Sequence, residues 1–228
     1  MSEKQIKKIV LAYSGGLDTT VILHWLKNKY DAEVIVFTAD IGQDHDPVLV
    51  KDRAASIGAS KIIIEDLKEE FTKDYIFPMF KANTLYEGEY LLGTSIARPL
   101  ISKRLVEIAE KEGADAIAHG ATGKGNDQIR FEIGSYSLNP DIQVIAPWRT
   151  WEYSSRADLV DYCKLHQIEI DASPDEPLYS TDENLLHTSY EGEVLEDPSI
   201  EAPAEIWQRT VAPIDAPDTA QVISIDFK

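Results

Sequence analysis

Two short strings hold the residue types and spacings best suited to chemistry. The first is Ser14-Gly15-Gly16-Leu17-Asp18-Thr19-Thr20. Its glycines let backbone N–H groups come close to an anion. The hydroxyls of Ser14, Thr19 and Thr20 can donate to phosphate oxygens. Asp18 is the discordant member, because a carboxylate beside a phosphate repels it unless a cation such as Mg²⁺ lies between them. Gly-Gly alone would be a tight turn with a capping Asp or Ser. The full string is not a Walker A loop, G-x-x-x-x-G-K-[ST], nor a G-x-G-x-x-G turn. The second string is His119-Gly120-Ala121-Thr122-Gly123-Lys124-Gly125-Asn126-Asp127-Gln128-Ile129-Arg130-Phe131-Glu132. Lys124 and Arg130 can meet carboxylates, Arg130 as a bidentate fork. Asp127 can meet an ammonium group, and Asn126 can both donate and accept. Together these groups suit a zwitterion; the plainer reading is a Gly-rich loop with solvated charges.

Both strings need elements to hold them. Ile6 to Tyr13 ends in a dense apolar run that predicts a buried strand. Val21, Ile22, Leu23, Trp25 and Leu26 predict a helix after the first string, whose N-terminus adds partial positive charge there. Further strands are expected at 33–38, 61–65, 114–119 and 142–146, with helices at 48–57, 67–75, 99–112 and 156–166. Ser154 or Ser155 would cap the last of these. The stretch 86–92 reads as irregular. Strands alternating with helices predict an α/β fold: an open, mostly parallel sheet with helices on both faces, suited to nucleotide binding. The second string then lies beyond the carboxyl end of a strand, where such sheets bind ligands.

The character changes near Asp171, and six of the 11 prolines fall between Pro174 and Pro217. We place a boundary there, with one domain at 1–170 and the start of a second, α+β in class, at 171–228. Val222 to Lys228 alternates Ile223, Ile225 and Phe227 with polar residues, which predicts a half-buried final strand. A strand as the last element, with no visible partner, suggests that the sequence ends inside its second domain.

The first string resembles the pyrophosphate-binding loop of the N-type ATP pyrophosphatases, and the fold implied is HUP-like. The longer run Leu11-Ala12-Tyr13-Ser14-Gly15-Gly16-Leu17-Asp18-Thr19-Thr20 and the segment Phe37-Thr38-Ala39-Asp40-Ile41-Gly42-Gln43 are similar to the argininosuccinate synthase family. So are Tyr86-Glu87-Gly88-Glu89-Tyr90-Leu91-Leu92-Gly93-Thr94-Ser95-Ile96-Ala97-Arg98-Pro99 and the second string. The resemblance implies that Ala12 to Thr20, the backbone of Ala39, and Gly120 bind ATP. It implies that Tyr90, Ser95, Asn126, Arg130, Ser180 and Ser189 bind citrulline, and that Thr122, Asn126 and Asp127 bind aspartate. Asp18 and Asp127 are the candidate catalytic residues, with no metal held by protein ligands alone. Taken by themselves, Ser95 could cap a helix, and Ser180 and Ser189 would be loop or cap residues. Two departures stand out. Thr20 replaces the family's usual Ser and keeps the hydroxyl. Asp44-His45-Asp46-Pro47 differs from the usual Gly or acidic residue followed by Glu. Full-length members are longer, and carry farther on a Glu and a Tyr that complete the citrulline pocket and a C-terminal helix that clasps neighbouring subunits.

The activity implied is ligation of citrulline and aspartate to argininosuccinate through citrullyl-AMP, with ATP as co-substrate, Mg²⁺ as its counter-ion, and AMP and pyrophosphate released. The full-length form is expected to be a cytoplasmic homo-oligomer, a tetramer by resemblance. The alternatives are another adenylating ligase of the same superfamily, or a non-catalytic ATP-binding module. Composition limits the rest. With 40 acidic and 22 basic residues the formal charge is −18, which argues against nucleic acid and anionic membrane surfaces as partners. No apolar run approaches the roughly 20 residues of a membrane helix. A single Cys, Cys163, excludes an internal disulfide framework and fits a reducing compartment. The five His show no metal-binding spacing. His119, at a strand end, is expected to be structural, and Cys163 a buried helix residue. Trp148 and Trp151 are expected in packing, and Trp207 as an interface anchor.

Overall fold

The computed structural model describes residues 5–123, 125–169 and 179–226. Five strands, β1 (Lys8–Ala12), β2 (Glu33–Asp40), β3 (Lys61–Asp66), β4 (Ala116–Ala118) and β5 (Gln143–Ile145), form one sheet in the order β3-β2-β1-β4-β5. Every pairing in it is parallel. β1 is central, and Ile9, Val10 and Leu11 are completely buried. Such an unbroken apolar run is what a strand covered on both faces requires.

Alternation along β1 divides the core in two. Ile9 and Leu11 face one layer, with α1 (Leu17–Tyr30), α2 (Pro47–Ile57) and α7 (Arg156–His166). Val10 faces the other, with α5 (Gly93–Glu112) and α6 (Asn126–Leu138). Trp151 and Cys163 are buried in the first layer, and Trp148 packs against it. Burial pushes the Cys163 thiol up to about 11, which leaves it unreactive.

Local signals explain both ends of α2 and the start of α7. Asp46 accepts from the Val48 N–H and Pro47 opens α2, whose far end stops at Gly58 in a left-handed conformation. α7 starts with a capping box: Ser155 accepts from the Asp158 N–H, and the Asp158 carboxylate accepts from the Ser155 N–H in return.

Four expectations need correction. The helix predicted at 67–75 runs from Lys68 to Lys81 as α3 (Lys68–Glu70), a π-helical stretch (Phe71–Ile76) and α4 (Phe77–Lys81). The wide turn falls just before Pro78, whose missing N–H interrupts the ladder. The helix predicted from Pro99 starts six residues earlier, at Gly93. Pro99 therefore lies inside α5, Ser95 sits in its first turn, and the reading of Ser95 as a cap is replaced. The second string is not all loop, because Asn126 opens the 13-residue α6. Finally, 222–226 forms no strand; Val222 is 95% and Ile225 73% exposed. Alternation predicts a strand only where a neighbour supplies backbone partners, and among the described residues 222–226 has none. Phe227 and Lys228 lie outside them.

Two compact units emerge, Met1–Glu176 with Glu183–His187, and Pro177–Asp182 with Thr188–Lys228. β6 (Ser180–Glu183) and β7 (Thr188–Glu191) form a two-stranded sheet. The second unit otherwise holds short 3₁₀ turns at Glu193–Glu196, Ala204–Ile206 and Pro213–Asp215. No helix among the described residues is long and apolar enough to cross a membrane.

His119, just past β4, is completely buried and stacked on Phe131, with ring centroids 4.8 Å apart. Its Nδ1 accepts from the Ala121 N–H at 3.2 Å. Burial, helped by Arg149, pushes its pKa from 6.5 down to about 4. Between those values the unfolded chain binds a proton that the folded chain refuses, so this ring lowers stability as pH falls from 6.5 towards 4 and not above. His119→Asn keeps an acceptor near Nδ1 but cannot titrate. Its urea midpoint should fall less than wild type between pH 6.5 and 4.5, and equal slopes would refute the assignment. Ser155→Ala should cost about 1 kcal/mol in urea unfolding at neutral pH; no loss would show that the capping box contributes nothing.

Candidate active site

β1 leads to β2 and β3 on one side, and the chain then crosses to β4 on the other. The switch point of this open sheet therefore lies between β1 and β4, and ligands bind in the crevice beyond the strand ends there. The loop after β1 holds Tyr13 to Gly16, and the loop after β4 holds His119 to Gly125. Both strings singled out in the sequence thus border one crevice.

The first loop is held in shape by its own hydroxyls. Ser14 Oγ and Thr19 Oγ1 lie 3.1 Å apart, the Gly16 N–H donates to Ser14 Oγ at 3.3 Å, and the Ser14 N–H donates to Thr19 Oγ1 at 3.3 Å. Deeper in, Tyr13 Oη meets Thr20 Oγ1 at 3.1 Å, and Thr38 Oγ1 donates to the Tyr13 carbonyl at 2.6 Å. Gly15 has φ +83°, and a Cβ there would lie 3.0 Å from Val50. Arg53 donates to the Gly15 carbonyl from behind. Gly16 precedes α1 without a side-chain cap, so no capping side chain takes up the first N–H groups of the helix, an arrangement that suits an anion. Burial raises the Asp18 carboxyl above its usual range, and nearby Arg156 partly offsets this.

The second loop meets the start of α1 at Gly120, where a Cβ would lie 3.1 Å from Thr19 and 3.4 Å from Ile22. Ala39 ends the buried part of β2, and its carbonyl accepts from Gln43 Nε2 at 2.7 Å. Thr122 is exposed beside Gly125, which precedes α6. Asn126 and Asp127 occupy the first turn of α6, and Arg130 the next. Asp127 is gripped from both sides, by Arg98 Nε at 2.7 Å on Oδ2 and by Arg130 Nη1 at 2.6 Å on Oδ1. Lys124 lies outside the described residues.

Tyr90 and Ser95 flank the start of α5, so this segment lies in the same unit as both loops. Pro99, inside α5, has no N–H to offer the Ser95 carbonyl one turn earlier. Ser180 on β6 and Ser189 on β7 belong to the second unit.

The structure also shows residues that the sequence reading passed over. Arg98 lay inside a quoted string, but placing the helix start at Pro99 concealed its position one turn into α5. Arg53, Arg149 and His187 were given no role, because each acts through a partner remote in sequence. Arg149 pairs with Glu132 of α6 at 2.6 Å.

The donor set fits Mg²⁺ carried by a nucleotide. One half-buried carboxylate, Asp18, adjoins hydroxyls and open N–H groups. No group of three or more His, Cys, Asp or Glu among the described residues could hold an ion unaided. A cation here needs phosphate oxygens as further ligands, which is how Mg²⁺ is commonly bound.

Comparison with known proteins identifies the family. The family model "Arginosuccinate synthase N-terminal HUP domain" matches residues 8–169, and "Arginosuccinate synthase C-terminal domain" matches 179–228. A curated argininosuccinate synthase of Dinoroseobacter shibae is 62% identical, covering 97% of this chain and 55% of its own length. Those of Caulobacter vibrioides and Helicobacter hepaticus are each 60% identical, covering 100% and 98% of this chain and 57% and 56% of their own. The chain thus spans about half the length of these relatives. A solved structure from Methanocaldococcus jannaschii, a predicted subunit of tRNA methyltransferase, is 16% identical with a TM-score of 0.45, a distant likeness on which nothing rests. Matches that run through both units, at this identity, show that the chain belongs to the argininosuccinate synthase family.

Proposed function

We propose that the full-length gene product joins citrulline to aspartate at the expense of ATP, and that this chain supplies the nucleotide site and part of the amino-acid site. The observation that carries the reading is the apposition of the two loops at the switch point, with Gly120 standing on Thr19. It sets an anion-binding helix end next to a cluster of Asn, Asp and Arg on α6 and α5.

In this reading the ureido oxygen of citrulline attacks the α phosphorus of ATP, and pyrophosphate leaves into the loop from Ser14 to Thr20. The aspartate amine then displaces AMP from citrullyl-AMP and argininosuccinate forms. Asp18 would hold Mg²⁺ together with phosphate oxygens, and the ion would neutralise charge on the departing group. Ala12, Tyr13 and Leu17 shape the loop, and Ala39 borders the adenine side. Thr122, Asn126 and Asp127 would receive aspartate. Tyr90, Ser95, Asn126 and Arg130 would receive citrulline, and family likeness gives Ser180 and Ser189 the same role. Arg98 keeps the Asp127 carboxylate oriented and lets Arg130 share it. No covalent nucleophile is needed, since positioned donors around developing charge are the main device of phosphoryl chemistry. We assign the enzyme to the cytoplasm as a homo-oligomer, a tetramer by family likeness, and the domain boundary to about residue 170.

Incubating the full-length product with ATP, citrulline and aspartate should release pyrophosphate only when citrulline is present. Release without citrulline, or none at all, sinks the proposal. Calorimetry separates a ligase from a mere ATP-binding module, because a ligase should bind citrulline as well as ATP. Asp18→Asn should lower kcat with Mg-ATP by about 100-fold, the scale of losing one electrostatic contact at a phosphoryl site. Unchanged kinetics would remove Asp18 from the role given to it.

A further inference from the structure

Residues 183–187 form a short tongue within the first unit. Asn184 builds it: almost completely buried, it accepts through Oδ1 from the Leu186 N–H at 2.9 Å, and its own N–H donates to the His187 carbonyl at 3.1 Å. The tongue touches two separate segments. On the nucleotide side, the Leu185 N–H donates to the Ile41 carbonyl at 2.8 Å, and Glu183 Oε2 accepts from the Asp44 N–H at 2.9 Å. Gly42 admits this contact, since a Cβ there would lie 2.5 Å from Leu185 Cγ. On the other side, the Gly93 N–H donates to His187 Nε2 at 2.7 Å, and the rings of His187 and Tyr90 lie 5.2 Å apart.

The contact at Gly93 meets a specific need. Gly93 is the first residue of α5, and its N–H is one of the four that a helix leaves without an internal partner. The residue before it, Leu92, offers no capping side chain and sits at φ 60°, a left-handed conformation that costs a non-Gly residue about 1–2 kcal/mol. A histidine from a distant segment thus caps the helix and braces the turn that joins Tyr90 to Ser95. A backbone N–H can only donate, so Nε2 must be the acceptor and the ring neutral. Only glycine leaves room, because a Cβ at 93 would lie 2.5 Å from Nε2.

We propose that His187 is a positioning residue for citrulline: it fixes the start of α5 and the Tyr90 ring, and the tongue ties them to the loop after β2. The inference rests on the citrulline reading of Tyr90 and Ser95. The test compares His187→Leu with His187→Gln in the full-length product, following pyrophosphate release at varied citrulline and at varied ATP. Gln carries an acceptor near the Nε2 position, and Leu fills the space without one. His187→Leu should raise the citrulline KM about tenfold, the scale expected when a buried donor loses its partner, and leave the ATP KM within about twofold. His187→Gln should recover most of the loss. Gly93→Ala, which drives the ring away, should reproduce the Leu phenotype and add little to it in the double variant. An unchanged citrulline KM overturns the proposal, as does equal impairment of the Leu and Gln variants or a parallel rise in both KM values. Wild-type turnover is the control. If it needs no citrulline, the proposed function falls and this inference with it; if it does need citrulline, those outcomes overturn the role of His187 alone.

Discussion

Everything at this site depends on burying β1 on both faces. A strand sealed in the middle of a sheet cannot shift in register without turning each side chain to the wrong layer. Ile9, Val10 and Leu11 therefore set where the chain must leave the sheet and turn into α1. That exit point positions uncapped N–H groups at one height. The crossing to β4 then brings a second loop to the same height, and Gly120 closes the gap. An uncapped helix end facing that loop is thus a by-product of packing, and the hydroxyls of Ser14 and Thr19 fix the shape of the loop before it.

The same logic resolves the charge. An excess of acidic residues disfavours a long polyanion, whose backbone demands a broad basic surface. It does not disfavour one nucleotide bound by peptide N–H dipoles, hydroxyls and a cation at Asp18. The guanidinium groups at the site are not left to the acidic surroundings either. Arg98 and Arg130 share Asp127, and Arg149 is held by Glu132, so each is already oriented by a local carboxylate.

The sequence made the sheet and the loop before α1 legible because both are written in contiguous residues: apolar runs for the strands, small and hydroxyl residues for the turn. Three features were not legible, each for a physical reason. Asn126 begins a helix, but the glycines before it masked the start, and the exposed Ile129 and Ile133 blur the apolar stripe expected of α6. Pro99 reads as a helix opener, yet it lies inside α5, where packing of the helix outweighs the ladder bond lost to Ser95. The capping of Gly93 by His187 links positions 94 residues apart, and no local pattern encodes such a pairing. The alternation at the chain's end was the converse error, a local pattern with no tertiary partner.

The division of the core by β1 has an evolutionary consequence. Odd positions of β1 face the layer of α1, behind the loop from Tyr13 to Gly16. Val10 faces the layer of α5 and α6, behind Asn126, Asp127 and Arg130. The sheet therefore acts as a partition, and a volume change in one layer is felt first by the half-site that layer supports. The two layers can drift separately in such a protein, each through core substitutions that leave the packing of the other unchanged.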